Sequence, residues 1–180
     1  MVYMLLGTGF EETEAVAPLD LLRRAGVPAA TVGIGGKVIT GSHGIPVTAD
    51  LELGQMDLTQ LDMIVLPGGL GGVQSILNSE KTLELIRSVH AKGKLVAAIC
   101  AAPSILARLG ITDGRKATCY PGFESRMGGA VMQSCGAVRD GTVITGRAAG
   151  SSEEFGLLLL EALKGKAAAD KVAGEIVYSR

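Results

Sequence analysis

The apolar positions of this chain fall into two kinds of segment, short continuous runs and longer stretches in which they recur every three or four residues. A short continuous run is typical of a strand buried on both faces, whereas the longer spacing is typical of a helix with one buried face. The predicted strands are residues 2–6, 29–34, 62–66 and 95–99. The predicted helices are the segment with Ala15, Leu19 and Leu22 that stops at Gly26, and residues 79–92, 101–109 and 151–163.

Residue types at the segment ends support these boundaries. Ser79 can cap the helix that follows it, and Gly93 ends that helix. Ser151 with Glu154 has the spacing of a capping box. Residues 38–39 and 45–47 suggest a small hairpin, and residues 130–135 and 138–145 look like shorter strands with a turn around Asp140-Gly141.

Apolar strands that alternate with amphipathic helices predict an α/β fold, in which a mostly parallel sheet is covered by helices on both faces. Ligands of such sheets usually bind beyond the carboxyl ends of the strands. The segments to search for chemistry are therefore those that follow strands, residues 7–14, 67–72, 100–103 and 147–152.

Composition and charge limit the number of domains and the classes of ligand that this chain can bind. The 180 residues, 47% of them hydrophobic, can form a single domain over residues 1–180. Lys and Arg total 17 against 18 Asp and Glu, which gives no electrostatic footprint for nucleic acid or an anionic membrane, so a small, weakly polar substrate fits better. We expect no secretory signal and no membrane span, and three cysteines, an odd number, favour reduced thiols in the cytoplasm.

Cys100 lies at the predicted junction of a strand and a helix, between alanines at 98 and 102. This pattern resembles a nucleophile elbow, in which a sharp turn lifts the reactive atom above the sheet. The N-terminus of the following helix would favour the thiolate, the reactive form of cysteine. From position alone, a buried cysteine that serves as a small apolar side chain explains Cys100 equally well.

Glu14 strengthens the functional interpretation, because it belongs to the first turn of the helix after the first strand and neighbouring strand ends bring such loops together. A carboxyl and a thiol at close range should share one proton, so the pKa of Glu14 should rise and its protonated form should donate to the sulfur. For Glu11 and Glu12 we favour a solvated helix start that complements the helix dipole.

Other motifs add an anion site and exclude several cofactors. The backbone amides of Gly69 and Ala101 could bind an oxyanion that forms on a carbonyl substrate. Gly33 to Val38 lacks the last small residue of a dinucleotide fingerprint, and Gly36-Lys37 lacks the hydroxyl residue of a P-loop. With only two histidines, His43 and His90, and no spaced pair of ligands, we expect neither a metal nor a cofactor.

Four strings in this chain resemble the ThiJ/PfpI superfamily, in the branch that contains the parkinsonism-associated protein deglycase. The strings are GFEETEA from Gly9, LPGG from Leu66, AAICAAP from Ala97 and ITGR from Ile144. The resemblance spans almost the whole chain and implies a flavodoxin-like fold, a homodimer and a glutathione-independent glyoxalase or deglycase activity. It also implies an oxidation-sensor or chaperone role as an alternative.

By position, the resemblance makes Cys100 the nucleophile, Glu14 the acid that hydrogen-bonds it, and Gly69 and Ala101 the donors of pocket amides. Much of the branch has a histidine before the proline of the segment after the elbow helix, whereas this chain has Tyr120 before Pro121. A phenol with a pKa near 10 can hydrogen-bond a substrate oxygen but is a poor proton shuttle at neutral pH. Glu14 would then carry the proton transfers alone.

Three functions therefore remain open from the sequence. The first is a cofactor-free enzyme that acts on methylglyoxal or glyoxal and their early adducts. The second is a non-enzymatic sensor that uses the oxidation of Cys100. The third is a peptidase or amidase, although such relatives have a histidine directly after the cysteine, where this chain has Ala101.

Overall fold

The computed structural model describes residues 1–179, and a seven-stranded sheet forms its centre. The strands of this sheet are β1 (Val2–Gly7), β2 (Ala29–Ile34), β5 (Leu51–Glu52), β6 (Met63–Leu66), β7 (Leu95–Ile99), β10 (Ala137–Asp140) and β11 (Val143–Gly146). Their order is β10-β11-β7-β6-β1-β2-β5, and every neighbouring pair is parallel except β10 with β11. The predicted mostly parallel α/β sheet is confirmed.

Helices cover both faces of the sheet. They are α1 (Glu12–Arg24), α2 (Leu70–Leu77), α3 (Glu80–Ala91), α4 (Pro103–Arg108), α5 (Ser152–Lys164) and α6 (Lys166–Glu175). Side chains alternate along a strand, so Met4 of β1 packs into the cluster that includes α1, α5 and α6, whereas Leu5 packs into the cluster that includes α2, α3 and α4. A strand with apolar residues at every position therefore contributes side chains to the hydrophobic clusters on both faces of the sheet.

Two small sheets lie outside the central one. The hairpin expected near residues 38–47 is formed by β3 (Val38–Thr40) and β4 (Pro46–Thr48), which pair antiparallel. The loop between them will be called the 41–45 loop. β8 (Lys116–Ala117) pairs parallel with β9 (Val131–Met132).

The structure corrects several boundaries. The strand predicted over 130–135 is reduced to Val131–Met132, and the helix predicted over 101–109 covers only Pro103–Arg108. The capping box predicted for Ser151 and Glu154 is absent, because Ser151 makes no side-chain capping bond and the Glu154 carboxylate lies against Gly136. Helices α2 and α6 were not predicted at all.

The elements that matter for function converge at the carboxyl ends of the central strands. Gly7 ends β1, Leu66 ends β6 and Ile99 ends β7, and these three strands are neighbours in the sheet. The segments that follow them are therefore brought to one edge, as expected for this fold class. Among residues 1–179, no helix combines the length and the apolar character that crossing a membrane would need.

Candidate active site

Cys100 lies on a sharp turn directly after β7, and its backbone φ is +67°. A residue with a Cβ rarely adopts positive φ, and this conformation costs roughly 1–2 kcal/mol. Backbone hydrogen bonds hold the turn on both sides. The N–H of Cys100 donates to the carbonyl of Gly146 at 3.0 Å, and the carbonyl of Cys100 accepts from the N–H of Tyr120 at 2.8 Å. The strained turn expected of a nucleophile elbow is present.

The surroundings of the sulfur differ from the expectation in one respect. Helix α4 begins only at Pro103, so two residues of turn separate Cys100 from the first helical residue. The hydrogen bonds to the sulfur come instead from the backbone N–H groups of Ala101 and Gly69. The two amides proposed for a substrate oxyanion therefore point at the thiol when no substrate is bound.

Glu14 is completely buried, at 0% exposure, although it is a charged residue type in the first turn of α1. Its Oε2 accepts a hydrogen bond from the N–H of Gly68 at 2.8 Å, and its carboxyl group hydrogen-bonds the thiol of Cys100. Its other oxygen, Oε1, is buried without a hydrogen-bond partner among the described residues. The structure thus brings together the two residues that the sequence paired.

Burial dominates the electrostatics of this pair. It raises the pKa of Glu14 to about 7, against the lowering effect of the bonds to Cys100 and Gly68. Burial and then the charge of Glu14 raise the pKa of Cys100 to about 12, while the amides of Ala101 and Gly69 act in the opposite direction. The contributions of Glu14 to the thiol's pKa require an ionised carboxylate and disappear when Glu14 is protonated. A thiolate at Cys100 is therefore disfavoured beside an ionised Glu14 but not beside a protonated one, and the sharing of one proton by the pair remains a prediction.

Gly68 is a site residue whose specific role the sequence did not reveal. A Cβ at this position would lie 2.5 Å from Oε2 of Glu14, 2.7 Å from the Cβ of Cys100 and 3.1 Å from its sulfur. Only glycine leaves space for the carboxyl and the thiol to meet. The sequence signal at this position is the pair of glycines after a strand. That pair predicted a turn whose backbone amides approach a ligand, and it did not predict the contact with Glu14 and Cys100.

Gly69 is constrained for a different reason. Its φ is +82°, and a Cβ there would lie 2.3 Å from the carbonyl oxygen of Gly9 and 2.6 Å from the amide nitrogen of Glu11. The chain at Gly69 is therefore pressed against the segment that leads into α1. This close approach brings the Gly69 amide to the sulfur.

The expectation of a solvated helix start is wrong for Glu12. Glu12 is only 7% exposed, and its carboxylate is bonded to the 41–45 loop, including His43. Burial opposes ionisation, but the hydrogen bonds from His43 and Ile45 and from its own backbone prevail and lower the pKa of Glu12 to about 2. Glu11 caps α1, and its Oε2 accepts from the N–H of Glu14 at 2.7 Å. All three glutamates therefore have defined partners.

Tyr120 lies at the rim of the site. Its side chain is 47% exposed, and its ring makes an edge contact with Phe123 at a centroid distance of 6.2 Å. The guanidinium of Arg126 lies 4.6 Å from the centre of the Phe123 ring. The phenol is accessible from solvent, so a contact between Tyr120 and a substrate oxygen remains a prediction.

The three cysteines are free, and they differ in environment. Cys119 is buried, and its sulfur donates to the carbonyl of Tyr120 at 3.5 Å. Burial, followed by the charge of Glu124, raises the pKa of Cys119 to about 11. Within residues 1–179, no carboxyl is bonded to the sulfur of Cys119, in contrast to that of Cys100.

Comparisons with a family model and with known proteins give matches over most of this chain. The family model described as DJ-1/PfpI family matches residues 1–162. The chain is 36% identical over 173 residues to protein dj-1beta of Drosophila melanogaster, covering 94% of this chain and 92% of that protein. It is 35% identical over 179 residues to the Parkinson disease protein 7 homolog of Danio rerio, covering 97% and 95%.

Solved structures show the same fold. The crystal structure of Drosophila melanogaster DJ-1beta superimposes with a TM-score of 0.93 at 34% identity, and covers 99% of this chain and 98% of that one. The structure described as Toxoplasma gondii DJ-1, oxidized, gives a TM-score of 0.94 at 30% identity, with the same coverage. With a family model over most of its length and relatives of this similarity, the chain belongs to the DJ-1/PfpI family.

Proposed function

We propose that this chain is a cofactor-free, glutathione-independent glyoxalase that converts small 2-oxoaldehydes such as methylglyoxal into 2-hydroxy acids. The observation that carries the proposal is the contact between Cys100, on its strained turn, and the buried carboxyl of Glu14. This contact joins a nucleophile to a proton donor and acceptor whose pKa of about 7 suits neutral conditions.

The first step uses the thiolate of Cys100. Its sulfur forms a bond to the aldehyde carbon of the substrate, and the electron pair of the C=O π bond moves to the oxygen. That oxygen takes a proton from Glu14, and the product is a hemithioacetal. The amides of Gly69 and Ala101, which hold the sulfur in the resting protein, stabilise the negative charge as it moves from sulfur to oxygen.

The second step uses Glu14 as a base and then as an acid. The carboxylate removes the proton from the carbon bonded to sulfur, which gives an enediolate with its negative charge on the former ketone oxygen. The hydroxyl proton of the sulfur-bearing carbon moves to that oxygen, and protonated Glu14 then returns its proton to the neighbouring carbon. The result is a thioester of Cys100 with the 2-hydroxy acid. Water then attacks the thioester carbonyl, and the carbon–sulfur bond breaks to release the acid and the thiol. One carbon is oxidised and its neighbour is reduced, so no external oxidant or reductant is needed.

The unpartnered Oε1 of Glu14 supports this role. A buried carboxylate oxygen without a hydrogen-bond partner is energetically costly in a folded protein. The proposed mechanism assigns to this oxygen the exchange of a proton with an atom bonded to the Cys100 sulfur. Oε2 is meanwhile held by Gly68, which fixes the orientation of the carboxyl group.

The same chemistry on a hemithioacetal or hemiaminal that glyoxals form with protein thiols or amines would be deglycation, so we extend the proposal to these early adducts. We further propose that the protein acts in the cytoplasm and as a homodimer, as the family resemblance implies.

An oxidation-sensor role is the second candidate. It is favoured by the similarity to the structure described as Toxoplasma gondii DJ-1, oxidized, and by the half-buried thiol of Cys100 beside a proton donor. A hydrolase is less well supported, because Ala101 follows Cys100 where a peptidase or amidase of this superfamily has histidine.

The test is methylglyoxal consumption without glutathione, measured as lactate formed by wild type and by Cys100→Ser. We expect Cys100→Ser to lose the activity, since a hydroxyl fills nearly the same space but is hardly ionised at neutral pH. Circular dichroism checks that the variant is folded. Lactate formation by folded Cys100→Ser at the wild-type rate would exclude the covalent mechanism. A wild type that forms no lactate would leave the sensor role as the better function.

A further inference from the structure

The buried carboxylate of Glu12 is held by the 41–45 loop. Its Oε1 accepts from the backbone N–H groups of His43 at 2.8 Å and Ile45 at 3.5 Å. Its Oε2 lies 2.8 Å from Nδ1 of the His43 ring and accepts from the hydroxyl of Ser42 at 3.2 Å. A Cβ on Gly41 would lie 2.3 Å from Oε1, so the loop closes around the carboxylate without spare space. The loop and the first residue of α1 therefore form one hydrogen-bonded unit.

The chain that leads into Glu12 also builds the site around Cys100. The N–H of Glu11 donates to the carbonyl of Gly68 at 3.0 Å, and Gly68 in turn donates to Oε2 of Glu14 at 2.8 Å. The carboxylate of Glu11 accepts from the N–H of Glu14 at 2.7 Å. The position of Glu14 relative to the sulfur thus depends on where the start of α1 lies.

Backbone contacts join the loop to the same segment. The N–H of Ser42 donates to the carbonyl of Phe10 at 2.8 Å, and the N–H of Gly9 donates to the carbonyl of Thr40 at 2.8 Å. These bonds fix the two segments side by side, but they do not fix the carboxylate. The ring of His43 and the hydroxyl of Ser42 are the side chains that do so.

We propose that His43 and Glu12 are positioning residues, which hold the start of α1 so that Glu14 meets the sulfur of Cys100. This inference rests on the proposed role of Glu14 as the acid beside the thiol. His43 is itself exposed and lies on a hairpin outside the central sheet, and it acts only through Glu12 and the segment before it. Neither residue is placed in contact with the sulfur.

The hydrogen bond between Glu12 and His43 is suited to fixing the start of α1 in one position. A buried carboxylate is stable only when its hydrogen bonds are satisfied. Removal of the His43 ring leaves Oε2 of Glu12 with only the 3.2 Å bond from Ser42, so this oxygen draws in water or moves. The charged groups that face His43 are Glu12 and Glu11, whose Oε1 lies 3.9 Å from Nδ1. Movement of Glu12 would carry with it Glu11 and hence the amide and carboxyl of Glu14.

The test measures the pH dependence of Cys100 alkylation by iodoacetamide, in a background where Cys119 and Cys135 are replaced by serine. We expect His43→Ala to move the profile to higher pH at and below neutral pH, where Glu14 with its pKa of about 7 still holds a proton, because the thiolate loses the aligned hydrogen bond from that carboxyl. Alkylation at neutral pH should fall about tenfold for a shift of one pKa unit. Ser42→Ala, which removes one weaker bond, should cause a smaller shift in the same direction.

Two variants separate positioning from general stability. His43→Asn retains a donor close to the position of Nδ1 and should restore the wild-type profile. Thr48→Ala, an exposed change on β4 of the same hairpin, should leave the profile unchanged. Thermal unfolding midpoints for all variants show whether any shift merely follows loss of stability.

The readout does not depend on methylglyoxal turnover, so it is independent of the proposed enzymatic function. A wild-type alkylation profile in His43→Ala would overturn the inference. So would a profile in His43→Asn that is displaced as far as that of His43→Ala, since the hydrogen bond to Glu12 would then not be the cause. A shifted profile in a protein that forms no lactate would support the inference and reject the glyoxalase proposal.

Discussion

The N–H of Gly68 donates a 2.8 Å hydrogen bond to Oε2 of Glu14, and the same glycine leaves the space in which Glu14 meets Cys100. One residue thus orients the carboxyl group through its backbone and makes room for it through its missing side chain. A substitution at Gly68 should affect the chemistry more than the fold, because its φ does not require glycine.

We expect Gly68→Ala to remove most methylglyoxal conversion, since the new methyl group would lie 2.5 Å from Oε2 of Glu14 and 2.7 Å from the Cβ of Cys100. Gly54→Ala is a matched control, because a Cβ there meets nothing within 4 Å and its φ is not positive. Lactate formation and urea unfolding measured on both variants would check this. Equal activity in the two variants would show that the close contact is not needed.

Glu14→Gln should slow methylglyoxal turnover about 100-fold or more, because general acid–base catalysis is typically worth 10² to 10⁴. A neighbouring glutamate makes a poor control, since Glu12 is buried and anchors the 41–45 loop. Glu84→Gln, an exposed change on α3, is the better comparison and should keep the wild-type rate. If Glu14→Gln retained that rate as well, the carboxyl would be structural.

Glu14 should also make stability fall as the pH rises. Its pKa is raised to about 7 in the folded chain, from an ordinary value of 4.5. Between these two values the folded chain keeps a proton that the unfolded chain has lost, so the stabilisation present below pH 4.5 is lost as the pH approaches 7. The loss amounts to about 3 kcal/mol in the free energy of unfolding.

Urea unfolding of wild type and Glu14→Gln at about pH 5 and about pH 8 measures this contribution. Wild type should lose more stability between the two conditions than the variant, which has no proton to release at this position. The same pH dependence in both proteins would mean that Glu14 is already ionised in the fold at the lower pH. The contribution of Glu12 has the opposite sign, because its pKa is lowered, and is lost only as the pH falls from 4.5 towards 2.

Mild hydrogen peroxide should oxidise Cys100 before the other two thiols and stop at the sulfinic acid, whose new oxygens Glu14 can hydrogen-bond. Cys119 is buried, whereas Cys100 is only half-buried and lies beside the proton donor Glu14. Peptide mass spectrometry should therefore find two added oxygens on Cys100. A bridge between Cys100 and Cys119 would replace this outcome with a resolving-thiol mechanism, and first oxidation at Cys135 would contradict the activation of Cys100.

The alternation of apolar runs and helical spacing was sufficient to predict the architecture. Strands β1, β2, β6 and β7 are apolar at nearly every position because both of their faces are buried, and this pattern is visible without any knowledge of tertiary contacts. Helix α2 was not predicted from the sequence, because it contains Gly71 and Gly72 and glycine is a poor helix former. A Cβ on Gly72 would lie 2.8 Å from the Cα of Phe10, so these glycines are required by a close approach to another segment.

The sequence by itself determined the sheet, the turn at Cys100 and the pairing of Cys100 with Glu14, because each follows from local patterns and from where strands end. Only the tertiary structure decided the separate roles of Glu11, Glu12 and Glu14, three residues of one type in four positions. Glu11 caps the helix, Glu12 binds the 41–45 loop and Glu14 reaches the thiol. The segments that bury each carboxyl are distant in the sequence, so no local pattern carries that information.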